Sequence, residues 1–451
     1  MKWRMFICAI CFLIGGCSLN IPLEDQFSDP DAITDVLSAR SLLASAYKAM
    51  PQQIFQLSVL SDDFCPSQHL NKDMSLQGLY NWREVEMTEL AGTLWAGYYA
   101  VIAEVNALLA RIDAVVTLDE TEKLEKMRIV CEAKALKSWC YFDLLRLFAP
   151  RYEGNENKDG IILKKRVELD FLPRSSVKEC VTEIRTLLNE ARNVDNTQKN
   201  VYWLSDKAVA YLQVELELYA GNYPAVLELT KDLETEYPES VLGADVYKYL
   251  WSSENSDARI FGKYQLEQIY MDIRFDTFEK GDYLVLSQNV DYEEEDIRKE
   301  WSEIPFVMPD AKNVRLLGKY NKMNRDKVAS KYVNVARAAG MWLMRVEGDA
   351  EALANRMLKQ RGATEWSTNI AGNELISKIL IERQKEYVGE GIRFFDMKRC
   401  GLSAIRYGTY GDKVMGIVKA DDYRWTLPIP AGEYRYNTSV EQNDGWPKLS
   451  V

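Results

Sequence analysis

Apolar residues recur at helical spacing along most of the chain. Between Asp31 and Met50 the positions Ile33, Val36, Leu37, Leu42, Leu43 and Tyr47 follow the period of a helix. Trp95, Tyr98, Tyr99, Ile102, Val105, Leu109 and Ile112 form one stripe, which predicts a helix whose aromatics face a core. The strongest pattern runs from Glu122 to Phe148. Its second half, from Ala135 through Trp139, Tyr141, Phe142, Leu144 and Leu147, is apolar nearly all round. That predicts a buried helix, closed by Pro150.

Ser176-Val177-Lys178-Glu179 is a capping box and opens an amphipathic helix. Ser205 is placed to cap the next one, with Asp206 favourable in its first turn. Gly221 suits the position after a helix end, and Pro224 the first turn of the following helix, which runs to about Tyr237-Pro238. A helix pair of this length predicts a tetratricopeptide-like unit. A weaker copy is read at Val333 to Gly362, with Gly348-Asp349 at its turn. No clean repeat spans the chain. A late helix is expected from Leu375 to about Val388.

Two stretches break the pattern. Residues 58–89 turn polar and irregular, through Ser61-Asp62-Asp63, Pro66-Ser67-Gln68-His69 and Tyr80-Asn81-Trp82-Arg83. Residues 272–322 hold two short apolar runs, Tyr283–Leu286 and Val314–Leu317, which predict strands. Between them lies Glu293-Glu294-Glu295-Asp296, read as a solvated face because it lacks the central glycine of a calcium loop. After Arg406 the chain is rich in glycine, proline and aromatics and is expected to form loops and short strands.

The N-terminus changes the picture. Lys2 and Arg4 precede an apolar run from Met5 to Ile14, and Gly15-Gly16 stands directly before Cys17. These features describe a lipoprotein signal peptide over residues 1–16, with Cys17 as the lipidated residue. An ordinary signal peptide and an uncleaved anchor are the alternatives. After Cys17 no apolar run is seen to approach the ~20 residues of a membrane helix, so the mature chain is read as attached by lipid alone. Over 451 residues the formal charge is −12, which argues against nucleic acid as a partner. Cys65, Cys131, Cys140, Cys180 and Cys400 are an odd set with no C-x-x-C pair, and Cys131 and Cys140, on opposite sides of one expected helix, read as small core residues. His69 is the single histidine, which excludes a histidine-based metal cluster. No metal or cofactor is expected.

Several segments, in order, resemble the SusD/RagB family of outer-membrane nutrient-binding lipoproteins. They are the lipobox with Leu19-Asn20-Ile21-Pro22-Leu23-Glu24, then Trp95 and Tyr98 with Ile102 and Asn106, then Glu132-Ala133-Lys134-Ala135 running into Tyr141-Phe142. Glu382-Arg383 and Glu386, then Glu390-Gly391, Arg393, Asp396 and Arg399, match the family's ER-x-x-E…EG-x-R-x-x-D-L-x-R signature. Pro428-Ile429-Pro430, Glu433, Asn437, Gln442-Asn443 and Gly445 match its closing pattern. The resemblance implies a mainly α fold: a tetratricopeptide-like α/α superhelical scaffold with a loop-rich, minor-β remainder. It implies one SusD-like domain over 17–451, anchored to the outer membrane and facing the cell exterior. The implied partner is a SusC-type TonB-dependent barrel, over which the lipoprotein closes as a lid. The implied ligand is an oligosaccharide, or a peptide in the RagB branch.

The signature carboxylates read as structural. Glu382, Arg383, Glu386, Arg393 and Asp396 are expected to form a charge network tying the late helix to the loop after it, with Gly389 and Gly391 allowing the turn. A surface hydrolase is the alternative, but Glu382 and Glu386 lie one turn apart on one helix face, not across a sugar ring. For a ligand face the sequence offers Tyr80, Asn81, Trp82 and Arg83, where flat aromatics and planar polar groups coincide, with Tyr292 as a second contributor. The competing reading is that Trp82 packs its loop onto the scaffold.

Overall fold

The computed structural model describes residues 33–448, apart from 169, 193–199, 253–254, 265–282, 321–331, 350, 367–369 and 371. The signal peptide, Cys17 and Leu19–Glu24 lie outside the described residues. The first helices are α1 (Val36–Ala49), α2 (Ile54–Leu60), α3 (Met74–Tyr80), α4 (Glu84–Arg111), α5 (Glu120–Phe148), α6 (Val177–Ala191), α7 (Asp206–Tyr219) and α8 (Tyr223–Glu236). After the short α9 (Ala244–Tyr247) come α10 (Ile297–Ser302), α11 (Ala338–Asp349), α12 (Glu351–Arg361), α13 (Gly372–Tyr387), α14 (Ile392–Cys400) and α15 (Ala431–Tyr436).

Helix starts follow local chemistry. At α1, Asp35 Oδ1 accepts from the Ser38 amide at 2.8 Å and Ser38 Oγ accepts from the Asp35 amide at 3.2 Å. Ser176 and Glu179 form the expected reciprocal cap at α6. Between α7 and α8, Gly221 takes a left-handed φ of +69°. The Asn222 amide then reaches Glu217 O at 2.8 Å and the Gly221 amide reaches Leu218 O at 3.1 Å. That is a Schellman motif, and Pro224 sits in the first turn of α8.

The helices pack in succession. α1 lies on α4 and α5, α5 on α6, α6 on α7, α7 on α8, α8 on α11, and α11 on α12 and α13. The buried centre is the second half of α5, where every residue from Ala135 to Leu145 is buried. One apolar cluster runs from Ile33 to Trp446. By length and mean hydropathy α4 passes as a membrane span, contrary to the expectation of none after Cys17. In this fold α4 packs instead on α1, α3 and α5.

Strands are short and form two-stranded antiparallel sheets among the described residues. β1 (Phe64–Pro66) pairs with β3 (Leu284–Leu286), β2 (Arg259–Tyr264) with β6 (Tyr332–Arg337), β4 (Glu303–Val307) with β5 (Asn313–Leu317), and β7 (Ala404–Tyr407) with β8 (Val414–Val418). β3 and β5 fall on the two expected apolar runs.

Three expectations are corrected. Val333–Arg337 belongs to β6, because pairing with β2 overrides the helical reading. Gly348 and Asp349 end α11 rather than forming a turn. Residues 58–89 are not a loop: they hold the end of α2, β1, α3 and the start of α4, and Ser58, Ser61, Asp62, Asp63 and Ser67 are buried. Their polarity marks internal hydrogen bonding. The acidic run is solvated at Glu293–Glu295, but Asp296 is buried. It caps α10 and holds Arg298 at 2.6 Å.

Candidate functional site

The aromatics expected to form a platform lie inside the protein. Tyr80 ends α3 and is 1 % exposed. Its hydroxyl donates to Tyr407 O at 3.2 Å and accepts from the Tyr407 amide at 2.9 Å, while the Arg406 guanidinium stacks 4.8 Å from its ring. Burial, opposed in part by Arg406, pushes the Tyr80 phenol up to about 12. Trp82 is fully buried. Its indole N–H donates to Leu60 O at 2.9 Å, and its ring packs 4.6 Å from Trp425 and 6.1 Å from Phe394. Tyr292 is buried, with its hydroxyl donating to Lys385 O at 2.7 Å.

Trp82 also does backbone work. It takes a left-handed φ of 55° at the position that glycine usually fills in a Schellman motif. The Arg83 amide bonds Gly78 O at 2.9 Å and the Trp82 amide bonds Leu79 O at 3.0 Å. Such a conformation in a bulky residue costs on the order of 1–3 kcal/mol, which the buried indole offsets. Asn81 and Arg83 are exposed but serve the same turn. Asn81 Nδ2 donates to Gln77 O at 2.8 Å, and Arg83 donates to Met74 O at 3.1 Å and Glu86 Oε1 at 2.6 Å. The sequence-predicted segment is therefore a support and presents no aromatic face.

What it supports is the β7–β8 hairpin, one layer further out. Tyr407 and Tyr410 are half-buried there, packed with Phe306 and Val314 on a small cluster of Cys65, Val285, Ile304 and Leu316. Tyr410 is held in a left-handed turn with φ of 57°. The exposed Asn289 accepts from the Tyr407 hydroxyl at 3.2 Å, and Gln288 Nε2 lies 3.5 Å from Tyr410 O. His69 and Gln68 are half-buried on the chain leaving β1, which touches the turn at Thr409–Gly411. Burial and then Lys72 lower the His69 pKa, so its imidazole is neutral at pH 7. Tyrosine faces beside two carboxamides give flat apolar surface edged with donors and acceptors. The sequence signal for this face was Tyr407-Gly408-Thr409-Tyr410-Gly411, aromatics alternating with turn residues.

Two family models match the chain in tandem. One, described as starch-binding associating with outer membrane, matches residues 23–214, and the SusD family model matches residues 243–446. The chain belongs to the SusD/RagB family. Solved SusD structures share its fold. A SusD superfamily protein from Bacteroides thetaiotaomicron superposes with a TM-score of 0.76 at 19 % identity, over 91 % of this chain and 100 % of that one. For a putative sugar binding protein from Bacteroides vulgatus the values are 0.75, 20 %, 92 % and 99 %. For a laminarin binding SusD-like protein they are 0.68, 18 %, 92 % and 100 %. No curated protein matches the chain.

The SusD/RagB signature residues are buried structure. Arg383 meets Asp396 at 2.7 Å, tying α13 to α14 as expected. Arg399 also reaches Asp396, at 3.3 Å, while the signature glutamates find partners that the signature does not contain. Arg298 pairs with Glu382 at 2.8 Å. Glu386 meets Arg337, Arg361 at 3.0 Å and Arg298 at 3.6 Å. Glu390 takes Lys319 and Arg337, each at 2.8 Å. Gly389 and Gly391 adopt φ of +75° and +78°, making the turn into α14. Glu382 and Glu386 are thus enclosed and paired with guanidiniums, not facing each other across an open cleft.

Proposed function

We propose that this protein is a lipid-anchored, non-catalytic glycan-binding lipoprotein of the outer membrane that captures oligosaccharides on its Tyr407–Tyr410 face. On this reading residues 1–16 are removed, Cys17 carries the lipid, and residues 17–451 act as one SusD-like domain. The domain closes as a lid over a SusC-type TonB-dependent barrel and passes its ligand on. The observation that carries the reading is two half-buried tyrosines edged by Asn289 and Gln288. Sugar C–H faces stack on such rings while carboxamides reach the hydroxyls. The family description as starch-binding and the likeness to a laminarin binding protein support sugar as the ligand class.

The test is calorimetric titration with soluble α- and β-glucan oligosaccharides. Tyr407→Ala and Tyr410→Ala each weaken binding by about 1–3 kcal/mol, by analogy with bases stacked on aromatics, measured on protein that remains folded at the titration temperature. Unchanged affinity in both variants removes this face from the reading. Binding of oligopeptides in place of every glycan favours the peptide alternative.

A further inference from the structure

We propose that the outer edge of β8 takes up an extended segment of a partner protein, apolar at its centre and acidic at both ends. The β7–β8 hairpin, which also carries Tyr407, leaves this edge open. Among the described residues β8 pairs with β7 alone, and no other segment hydrogen-bonds the main chain of Val414–Val418. The free side of β2 is treated differently, since the Gly262 amide there donates to Val201 O at 2.8 Å. An open edge is a template for one more strand, because its unpaired N–H and C=O groups are already held in extended geometry.

Side-chain alternation gives the hairpin two different faces. Ala404, Arg406 and Val418 are buried, and Gly416, across from Arg406, belongs to that inner set. The outward set is Ile405, opposite Ile417, together with Met415. Met415 and Ile417 are 62 % and 59 % exposed, and Val414 at the start of the strand is 55 % exposed. Residues 414–418 contain neither a charge nor a proline, the devices that ordinarily blunt an exposed strand from within. A partner strand laid along this edge therefore gains main-chain hydrogen bonds and covers Met415 and Ile417 with its own side chains.

Lysines close the row at both ends. Lys413 and Lys419 are exposed and have no ion-pair partner among the described residues. The same alternation puts them in line with Met415 and Ile417, whereas Asp412 falls in the other set. Their placement decides what the edge accepts. A second copy of β8, antiparallel and centred on Gly416, sets Lys413 against Lys419 at each end, and like charges directly opposite are destabilising. A strand with carboxylates at those two positions makes cross-strand ion pairs there instead. The edge thus disfavours its own copy and selects an acidic-ended partner.

The test uses two fluorescein-labelled peptides with the same Val-Thr-Val-Thr-Val centre, one flanked by glutamates and one by lysines. Each is titrated with the purified protein at low salt. Anisotropy is expected to show saturable binding of the glutamate peptide, about tenfold tighter than that of the lysine peptide. Lys413→Glu combined with Lys419→Glu, both at exposed positions, reverses that order. Amide hydrogen exchange within Val414–Val418 slows when the glutamate peptide binds. Absence of binding, equal binding of the two peptides, an order that the double variant leaves unchanged, or protection away from β8 each overturns the proposal. Self-association of the wild-type protein that Ile417→Thr abolishes makes a second copy the occupant and overturns it as well.

Discussion

Arg393 grips Asp62 across 331 residues of chain, with Nε to Oδ1 at 2.8 Å and Nη2 to Oδ2 at 3.1 Å. Both side chains are buried, and they join α14 to the segment after α2. The same contact zone holds Gly389, whose amide donates to Asp63 Oδ2 at 3.1 Å, and Gly391, whose amide donates to Ser58 Oγ at 2.8 Å. The regions matched by the two family models are thus stitched together by polar contacts at the turn into α14.

Removing one partner of this pair strands the other charge. Arg393→Ala is expected to cost about 3–5 kcal/mol, read as a lower urea midpoint. Arg393→Met combined with Asp62→Leu, which removes both charges and keeps bulk, recovers part of that loss. A double variant no more stable than the single one would show that the charge is not the cause.

Glu386 makes stability sensitive to acid. Burial alone would raise its pKa, but Arg361, Arg337 and Arg298 together outweigh burial and hold it down to about 2, below the ordinary 4.5. Its stabilisation is therefore complete above the ordinary value and lost as pH falls from there towards 2. Glu386→Gln should erase on the order of 3 kcal/mol of the acid-dependent part. Urea denaturation at a series of pH values checks this, and parallel pH profiles for wild type and variant would rule Glu386 out.

Trp82 separates packing from binding. Trp82→Ala empties a fully buried site and should lower stability by about 3–5 kcal/mol, while the folded fraction keeps its glycan affinity. Thermal melts and titrations on the same sample distinguish the outcomes. A variant of normal Tm that binds poorly would return Trp82 to the ligand face.

Cys17→Ala should abolish labelling by radiolabelled fatty acid during growth. Label persisting in the variant would place the lipid on another residue.

Several elements are legible in the amino-acid sequence because their causes are local. The apolar period of α5, the Ser176–Glu179 box, and the Gly221 and Pro224 signals at the α7–α8 turn each act within a few residues. The ordered signature motifs point to the family and with it the fold class. Arg383 and Asp396, thirteen residues apart, are likewise within reach of sequence reasoning.

Tertiary structure alone decided which polar and aromatic side chains face inward. Tyr80-Asn81-Trp82-Arg83 looks like a surface platform until Phe394, Trp425 and Arg406 arrive from more than 300 residues away to bury its rings. Asp62 and Asp63 look like a solvated loop until Arg393 and the Gly389 amide take their oxygens. Glu386 shows a helix neighbour in the sequence, yet its guanidiniums come from Arg298, Arg337 and Arg361 on three other segments. The reason is physical. A helix or cap is set by groups that are close along the chain, whereas the sign of a buried polar residue's contribution depends on partners brought near only when the whole core closes.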